Sequence, residues 1–299
     1  MDCSGSPPPR ISILLPTRGR PELAAAFLDS LAGMARDPSR VEVILYVDED
    51  DPASAVVGDS RLRVTAIVGP HATMGAMNTA CLARASADIV MLANDDVVVR
   101  TPEWDVAIEC LQAKVSDQVY LAWPNDRFAS NRMSTFPILS RTTCRLLVSP
   151  FPEEYRSAFI DYELFDIFTR LRRLGHDRLL YLDQVVFEHW HHRTGKRAVD
   201  TTSRRRPRFE DDLTFLDRRG VRQQHAARLA AAVDGREPRV VGTVATRARP
   251  AHGVAAVWHF ATSWLGDSGL PLRRRLYLFT WYCGRWVAAQ LGRRHAHRI

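Results

Sequence analysis

The chain predicts an α/β protein in which a mostly parallel central sheet is flanked by helices and followed by a basic helical C-terminal extension. Three observations carry this expectation. Short apolar runs alternate with segments of helical period from residue 10 to about residue 188, the pattern of strands joined by crossover helices. Within residues 89–99 a buried apolar strand runs to Ala93 and ends in Asn94-Asp95-Asp96 before the chain turns apolar again, which sets acids where open α/β sheets bind ligands. Charge is unevenly divided: residues 1–200 hold 22 Lys and Arg against 27 Asp and Glu, and residues 201–299 hold 19 against 7. Any anionic partner should therefore meet the C-terminal third first.

Taken in order, residues 1–9 read as a disordered leader, Ser4-Gly5-Ser6-Pro7-Pro8-Pro9 having no apolar core for a signal peptide. Residues 10–15 form a strand closed by the turn Pro16-Thr17-Arg18-Gly19-Arg20, and Pro21 suits the first turn of a helix carrying Leu23, Phe27, Leu28 and Leu31. Strands follow at 41–47, ending in Asp48-Glu49-Asp50-Asp51, and at 62–68. A helix covers about 73–86, before the acidic strand. Beyond it, Thr101-Pro102-Glu103-Trp104 opens a helix, 119–123 is a strand and 134–140 is β-like. Residues 158–174 make an amphipathic helix closed by Gly175. Residues 179–188 give two strand-like pieces broken at Asp183, leading into His189-Trp190-His191-His192 and a polar loop with Lys196. A boundary near 220 divides a catalytic domain, 10–220, from an extension, 221–299.

The bulk composition agrees with a globular protein: 46% apolar and 25% charged residues leave ample material for a core. The five cysteines, Cys3, Cys81, Cys110, Cys144 and Cys283, are scattered, odd in number and without paired metal-ligand spacing, as reduced thiols of a cytoplasmic protein are. No uncharged apolar run reaches the roughly 18 residues of a spanning helix. Membrane contact, if made, would be peripheral and on the cytoplasmic face.

The chemistry starts from Asp95 and Asp96. Adjacent carboxylates repel unless a proton or cation relieves them, and a divalent metal at such a strand end commonly serves a phosphate. The first strand is not followed by Gly-x-Gly-x-x-Gly, so the usual dinucleotide fingerprint is absent. A histidine at the end of a later strand, His189, can complete a metal site with a carboxylate, a donor pair that suits Mn²⁺ better than Mg²⁺. His191 and His192 read as ordinary loop residues. Asp161 opens a long helix, where Asp also serves as an N-cap.

Together these pieces resemble glycosyltransferase family 2 of the GT-A fold. The resemblance rests on residues 11–20, the strand ending at Asp48, Gly75-x-x-Asn78, Asn94-Asp95-Asp96, and a distal block of Asp161-Tyr162-Glu163-Leu164 with Val185-Val186-Phe187-Glu188-His189; it covers roughly residues 10–215. It implies a Mn²⁺- or Mg²⁺-dependent, inverting, hexosyltransferase-like enzyme. Such an enzyme moves a sugar from a nucleotide-diphosphate sugar, UDP-sugar favoured, to a hydroxyl of a glycan, lipid or other metabolite. It further implies that Asp96 and His189 hold the metal, with Asn94 replacing the motif's first acid and Asp95 near the donor sugar or ribose. Asp48 would contact the base, the turn Pro16, Thr17, Arg18 and Arg20 would wrap base, ribose and phosphates, and Gly75 and Asn78 would belong to the same site. Asp161 is the candidate base, with Glu163 beside it and Asp166 as a further alternative register. Lys196 could neutralise phosphate.

Two rivals are a sugar-1-phosphate nucleotidyltransferase and a non-catalytic carbohydrate- or nucleotide-binding protein on a degenerate GT-A scaffold. In the extension, 254–265 and 272–291 read as helices, the second with Leu272, Leu276, Phe279, Cys283 and Val287 in a stripe among arginines. Such helices suit a membrane surface, a homodimer through 254–299, or packing on the chain's own catalytic domain. No nucleic-acid motif accompanies the charge, and nucleic acid is not expected as a partner.

Overall fold

The computed structural model describes residues 8–190, 209–238, 240–242 and 253–296, with side chains to residue 291. Internal contacts define two units: Met1–Phe165 with Arg178–Arg205, and Asp166–Asp177 with Arg206–Ile299. Residue 220, where the sequence places a boundary, lies inside a helix of the second unit. His191, His192, Lys196 and residues 1–7 of the expected 1–9 leader lie outside the described residues.

The first unit is an eight-stranded mixed sheet in the order β3-β2-β1-β4-β7-β6-β8-β5. Its strands are β1 (Ile11–Thr17), β2 (Val41–Asp48), β3 (Arg63–Gly69), β4 (Ile89–Leu92), β5 (Val97–Val99), β6 (Leu121–Asn125), β7 (Ile138–Ser140) and β8 (Leu179–His189). The run β3-β2-β1-β4 is parallel, as is β6-β8, while β4-β7, β6-β7 and β5-β8 are antiparallel. Strands β1, β2 and β4 are almost wholly buried, which is why they read as continuous apolar runs rather than alternating ones.

Helix α1 (Pro21–Met34) takes its proline at the first turn and buries Ala24, Phe27, Leu28 and Leu31 at helical spacing. Each large apolar side chain so removed from water contributes about 1.5–3 kcal/mol before entropy is subtracted. Helix α2 (Pro52–Ala55) is one turn between β2 and β3, and α3 (Met74–Arg84) is capped by Thr73, whose hydroxyl accepts the N–H of Ala76. Helix α4 (Trp104–Lys114) begins with a fully buried Trp104, whose indole N–H donates to the Leu31 carbonyl at 3.0 Å. Asp105 accepts the N–H groups of Arg36 and Asp37, satisfying backbone just beyond the end of α1. Helix α5 (Arg141–Leu147) follows β7, and α6 (Ile160–Arg173) opens in the first unit and closes before Gly175, at φ 100°.

Three elements differ from the sequence reading. Residues 97–99 form β5, too short to be recognised alone, because β8 supplies a partner. The β-like stretch 134–140 shrinks to β7, since Asp126 gathers the N–H groups of Phe128, Ala129 and Ser130 and folds the preceding segment into a loop. The break at Asp183 is a register slip within one strand: Pro124 pairs with Leu182 but Asn125 with Val186.

The second unit contains α7 (Glu210–Asp217), α8 (Arg219–Val233), α9 (Gly253–Phe260) continued by a π turn (Ala261–Leu265), and α10 (Leu272–Ala296). Its core is aromatic: Phe209, Phe215, Phe260, Trp264 and Tyr282 meet through ring contacts, with Phe215 and Trp264 stacked at 5.8 Å. Beneath them lies a buried ion cluster. Asp166 receives Arg170 at 2.8 Å and Arg222 at 2.7 Å, and Arg170 binds Asp267 with two parallel hydrogen bonds, at 3.0 and 2.7 Å. The apolar stripe read along α10 from the sequence is not its buried face. Leu278, Tyr282 and Ala289 are buried, whereas Leu272, Leu276 and Val287 are exposed. None of the described helices is long and apolar enough to cross a membrane.

Candidate active site

The site is built at the carboxyl edge of the parallel strands. The chain runs from β1 to β2 and β3 on one side, then returns to β4 on the other side of β1. This reversal leaves a crevice between β1 and β4, the position where such sheets take ligands. Thr17 ends β1, Asp48 ends β2, and Asn94-Asp95-Asp96 follow β4.

Asp95 is buried and doubly held: Thr17 Oγ1 donates to Oδ2 at 2.8 Å and Arg20 donates to Oδ1 at 2.9 Å. Its pKa lies above the ordinary carboxylate value because of burial, with the charge of Asp96 adding to the rise and Arg20 and Thr17 opposing it. Asp95 thus braces the Pro16–Arg20 turn, and Arg20 is already neutralised by it. On the other side of β1, Arg18 bridges Asp48 at 2.6 Å and Asp50 at 2.8 Å, and His71 Nδ1 lies 3.0 Å from the same Asp48 oxygen. The Gly19 N–H donates to Asp51 at 2.5 Å, and Gly19 has φ 63°, a conformation that favours glycine. The other Asp48 oxygen, Oδ1, is buried without a hydrogen-bond partner. A phosphate role for Arg18 or Arg20 would have to compete with these carboxylates. Pro16 is half-buried in the same turn, and Asn94 is exposed at the strand end.

Asp96 and His189 are brought together by strand pairing. Val97 is the register partner of His189 in the antiparallel β5-β8 ladder, so the residue before β5 faces the end of β8. His189 Nε2 stands 3.3 Å from Asp96 Oδ1. Two donors each bound to one ion at about 2.1 Å and at right angles lie ~3 Å apart, so this spacing fits a shared cation. An imidazole and a carboxylate suit Mn²⁺. Among the described residues no group of three or more His, Cys, Asp or Glu is placed to hold a metal. The pair would supply part of a shell completed by other oxygens, as ions serving phosphates usually are. His189 is positioned by its N–H on the Asp126 carbonyl at 3.1 Å and by Phe136, whose ring meets the imidazole edge-on at 5.3 Å. The Trp190 N–H donates to the Asp96 carbonyl at 2.8 Å.

The acidic candidates of α6 separate clearly. Glu163 is buried and its Oε2 accepts the Tyr155 hydroxyl at 2.7 Å. Asp161 is half-buried in the first turn, with its Oδ1 on the Tyr162 N–H. Asp166 belongs to the ion cluster of the second unit. Burial presses its pKa upward, but Arg170 and Arg222 outweigh that and hold it at about 2, which makes it a poor base. Residues 134–136 join the two regions: Ser134 Oγ donates to the Asp161 carbonyl, Thr135 to Asp126, and Phe136 touches His189.

Gly75 and Asn78 sit on α3. A Cβ on Gly75 would lie 1.9 Å from the Pro152 carbonyl oxygen, so this glycine admits the 151–156 loop that carries Tyr155. Asn78 donates to the Met74 carbonyl, and its Oδ1 is buried without a partner. The supporting residues His71, Asp126, Phe136 and Tyr155 were not singled out from sequence. Only Asp126, a polar residue at a strand end, left a local signal.

No family model matches the chain, and no curated protein matches it in sequence. Solved structures do. S. aureus TarS 1-349 in complex with UDP-GlcNAc overlays with a TM-score of 0.56 at 14% identity, over 96% of this chain and 92% of that one. S. aureus TarS overlays at 0.53 and 12% identity, over 94% of this chain, which spans about half, 54%, of the length of that protein. The mannosyltransferase PcManGT from Pyrobaculum calidifontis in complex with GDP-Man and Mn²⁺ gives 0.49 at 14% identity, over 97% and 76%. The chain has the GT-A fold of nucleotide-sugar transferases.

Proposed function

We propose that the chain is a glycosyltransferase that moves a sugar from a nucleotide-diphosphate sugar to an acceptor hydroxyl with inversion, using a divalent metal at Asp96 and His189. The observation that carries this reading is the 3.3 Å approach of Asp96 and His189 at the switch-point crevice. TarS in complex with UDP-GlcNAc favours a UDP-sugar donor. A divalent ion there would neutralise charge developing on the leaving diphosphate.

The chain's own residues divide the remaining work. Asp48, with its unpartnered Oδ1, meets the base, while the turn from Pro16 to Arg20, braced by Asp95, shapes the base and ribose pocket with Asn78 nearby. Asn94, exposed beside the metal pair, faces the donor. Asp161, half-exposed at the start of α6, takes the proton from the acceptor hydroxyl as that oxygen attacks the anomeric carbon. Glu163, held by Tyr155, sets the geometry of that first turn. A glycan or lipid-linked acceptor fits the reading. A nucleotidyltransferase is less favoured because the arginines of the first loop are already paired with carboxylates.

The test is a screen of nucleotide sugars for release of nucleotide diphosphate with and without Mn²⁺. The expected result is metal-dependent release from one donor. Binding of UDP with turnover of no donor would instead identify a non-catalytic scaffold.

A further inference from the structure

Asp126, the residue that follows β6, is 1% exposed and stands outside the donor set of Asp96 and His189. Its carboxylate takes four hydrogen bonds: Oδ1 accepts the N–H of Phe128 at 3.0 Å and those of Ala129 and Ser130 at 2.8 Å, and Oδ2 accepts the Thr135 hydroxyl at 2.8 Å. An aspartate that merely shapes a turn makes do with one bond to the backbone two residues on. The excess has a counterpart in the backbone. Arg127 has φ 55° and Ser130 φ 53°, left-handed conformations that are uncommon in residues with side chains. Such conformations persist only where their surroundings over-determine them, and they gather at functional sites.

What the turn secures is the end of β8. The register of β6 and β8 slips after Pro124, which pairs with Leu182, while Asn125 pairs with Val186. The slip sets Asp126 beside the last residue of β8. There the N–H of His189 donates to the Asp126 carbonyl at 3.1 Å, and the next N–H, that of Trp190, donates to the Asp96 carbonyl at 2.8 Å. His189 is thereby clamped between Asp126 on the β6 side and Asp96 on the β5 side, with its Nε2 3.3 Å from the Asp96 carboxylate. A second route reaches the ring. Thr135, bound to Asp126 Oδ2, is followed by Phe136, whose ring meets the imidazole at 5.3 Å. Both the backbone and the ring of His189 thus trace back to one buried carboxylate.

We propose that Asp126 is a positioning residue: its carboxylate fixes the turn 126–130 and Thr135, and these present His189 to the divalent ion of the proposed site. The inference rests on the metal-dependent reading of that site. Supports behind a metal ligand typically set affinity by roughly 10–100-fold.

The test is isothermal titration of UDP into the full chain with and without Mn²⁺, with circular dichroism to establish that each variant is folded. Asp126→Asn keeps the shape of the side chain and removes the charge that strengthens its four hydrogen bonds. It should reduce the Mn²⁺-dependent gain in UDP affinity about tenfold, the lower end of that range, while UDP binding without Mn²⁺ stays as in the parent. A general loosening of the fold would weaken binding under both conditions. Thr135→Val removes the hydroxyl at nearly constant volume and should act in the same direction, and Thr135→Ser should recover the gain. Adding His189→Ala to Asp126→Asn should cost nothing beyond His189→Ala alone, because the support acts through that histidine. Wild-type protein whose UDP binding ignores Mn²⁺ overturns the metal-dependent reading and this inference with it. With a Mn²⁺-dependent wild type, a folded Asp126→Asn that keeps the full gain overturns the inference alone, as does an effect that adds independently to that of His189→Ala. If Asp126→Asn does not fold, a Thr135→Val variant that keeps the full gain overturns it in the same way.

Discussion

Asp95 and Asp96 are neighbours in sequence with different tasks, and substitution separates them. Asp95 has both oxygens engaged by Thr17 and Arg20, so Asp95→Asn should loosen the first turn while leaving the metal pair in place. Losing one charge-assisted hydrogen bond predicts about a tenfold rise in donor KM, with Mn²⁺ dependence retained, measured by steady-state kinetics. Asp161→Asn should lower kcat by about 10²–10⁴ with little change in donor KM, as removal of a general base does. Asp166→Asn should act on stability instead, since it exposes Arg170 and Arg222 to a neutral partner. Sequence order and spacing brought out Asp48, Asp95, Asp96 and His189 because acids and imidazole at strand ends are local signals. They could not reveal that Asp95 is a brace, or that Tyr155 holds Glu163, since both depend on chain segments that meet only after folding.

At the scale of elements, Gly75 links α3 to the 151–156 loop and, through Tyr155, to Glu163. Gly75→Ala forces the 151–156 loop away from its present path, and Tyr155 moves with it. Overpacking of this kind costs about 1–3 kcal/mol, read as a lower urea midpoint, and activity should fall further than stability alone explains. Tyr155→Phe is the companion: it removes the hydroxyl without the clash, so it should lower activity with the 151–156 loop in place, at a stability cost of about 1–3 kcal/mol for the donor that the buried Glu163 loses. The elements legible from sequence included β1, β2, β3, β4, α1, α3 and α6. Strand β5 was not, because three valines make a strand only where β8 completes the ladder. The packing face of α10 was left open by the sequence for a related reason. Its apolar residues occupy two sides, and periodicity alone does not say which side a core will choose.

At the scale of the whole molecule, the two units should respond differently to pH. In the first unit, burial pushes the thiols of Cys81 and Cys144 up to about 12 from 9.0. A raised pKa means that the stability they contribute is intact below pH 9 and is lost as pH rises toward 12, each at about 1.4 kcal/mol per pH unit. In the second unit Asp166 is depressed to about 2 from 3.8, so its contribution is present above pH 3.8 and is lost as pH falls toward 2. Alkaline unfolding should accordingly involve both units, since burial also raises the Tyr282 phenol of the second, while the loss of stability at low pH should be concentrated in the second through Asp166. Cys81→Ala with Cys144→Ala should flatten the alkaline limb only. The division into units was only partly visible beforehand. The change of composition near residue 200 was plain, but the second unit's use of residues 166–177 was not, since it rests on Arg170 reaching Asp267 across a long interval of sequence.

The proposed metal site shared by Asp96 and His189 is tested most directly by isothermal titration of UDP in the presence and absence of Mn²⁺. Wild-type protein should bind UDP more tightly with Mn²⁺. Asp96→Ala and His189→Ala should each remove most of that gain, on the order of 100-fold or less in affinity. The double variant should be no worse than the worse single one, because both residues serve the same ion. Undiminished Mn²⁺-dependent binding in the double variant, or binding by the wild type that ignores Mn²⁺, would contradict the account.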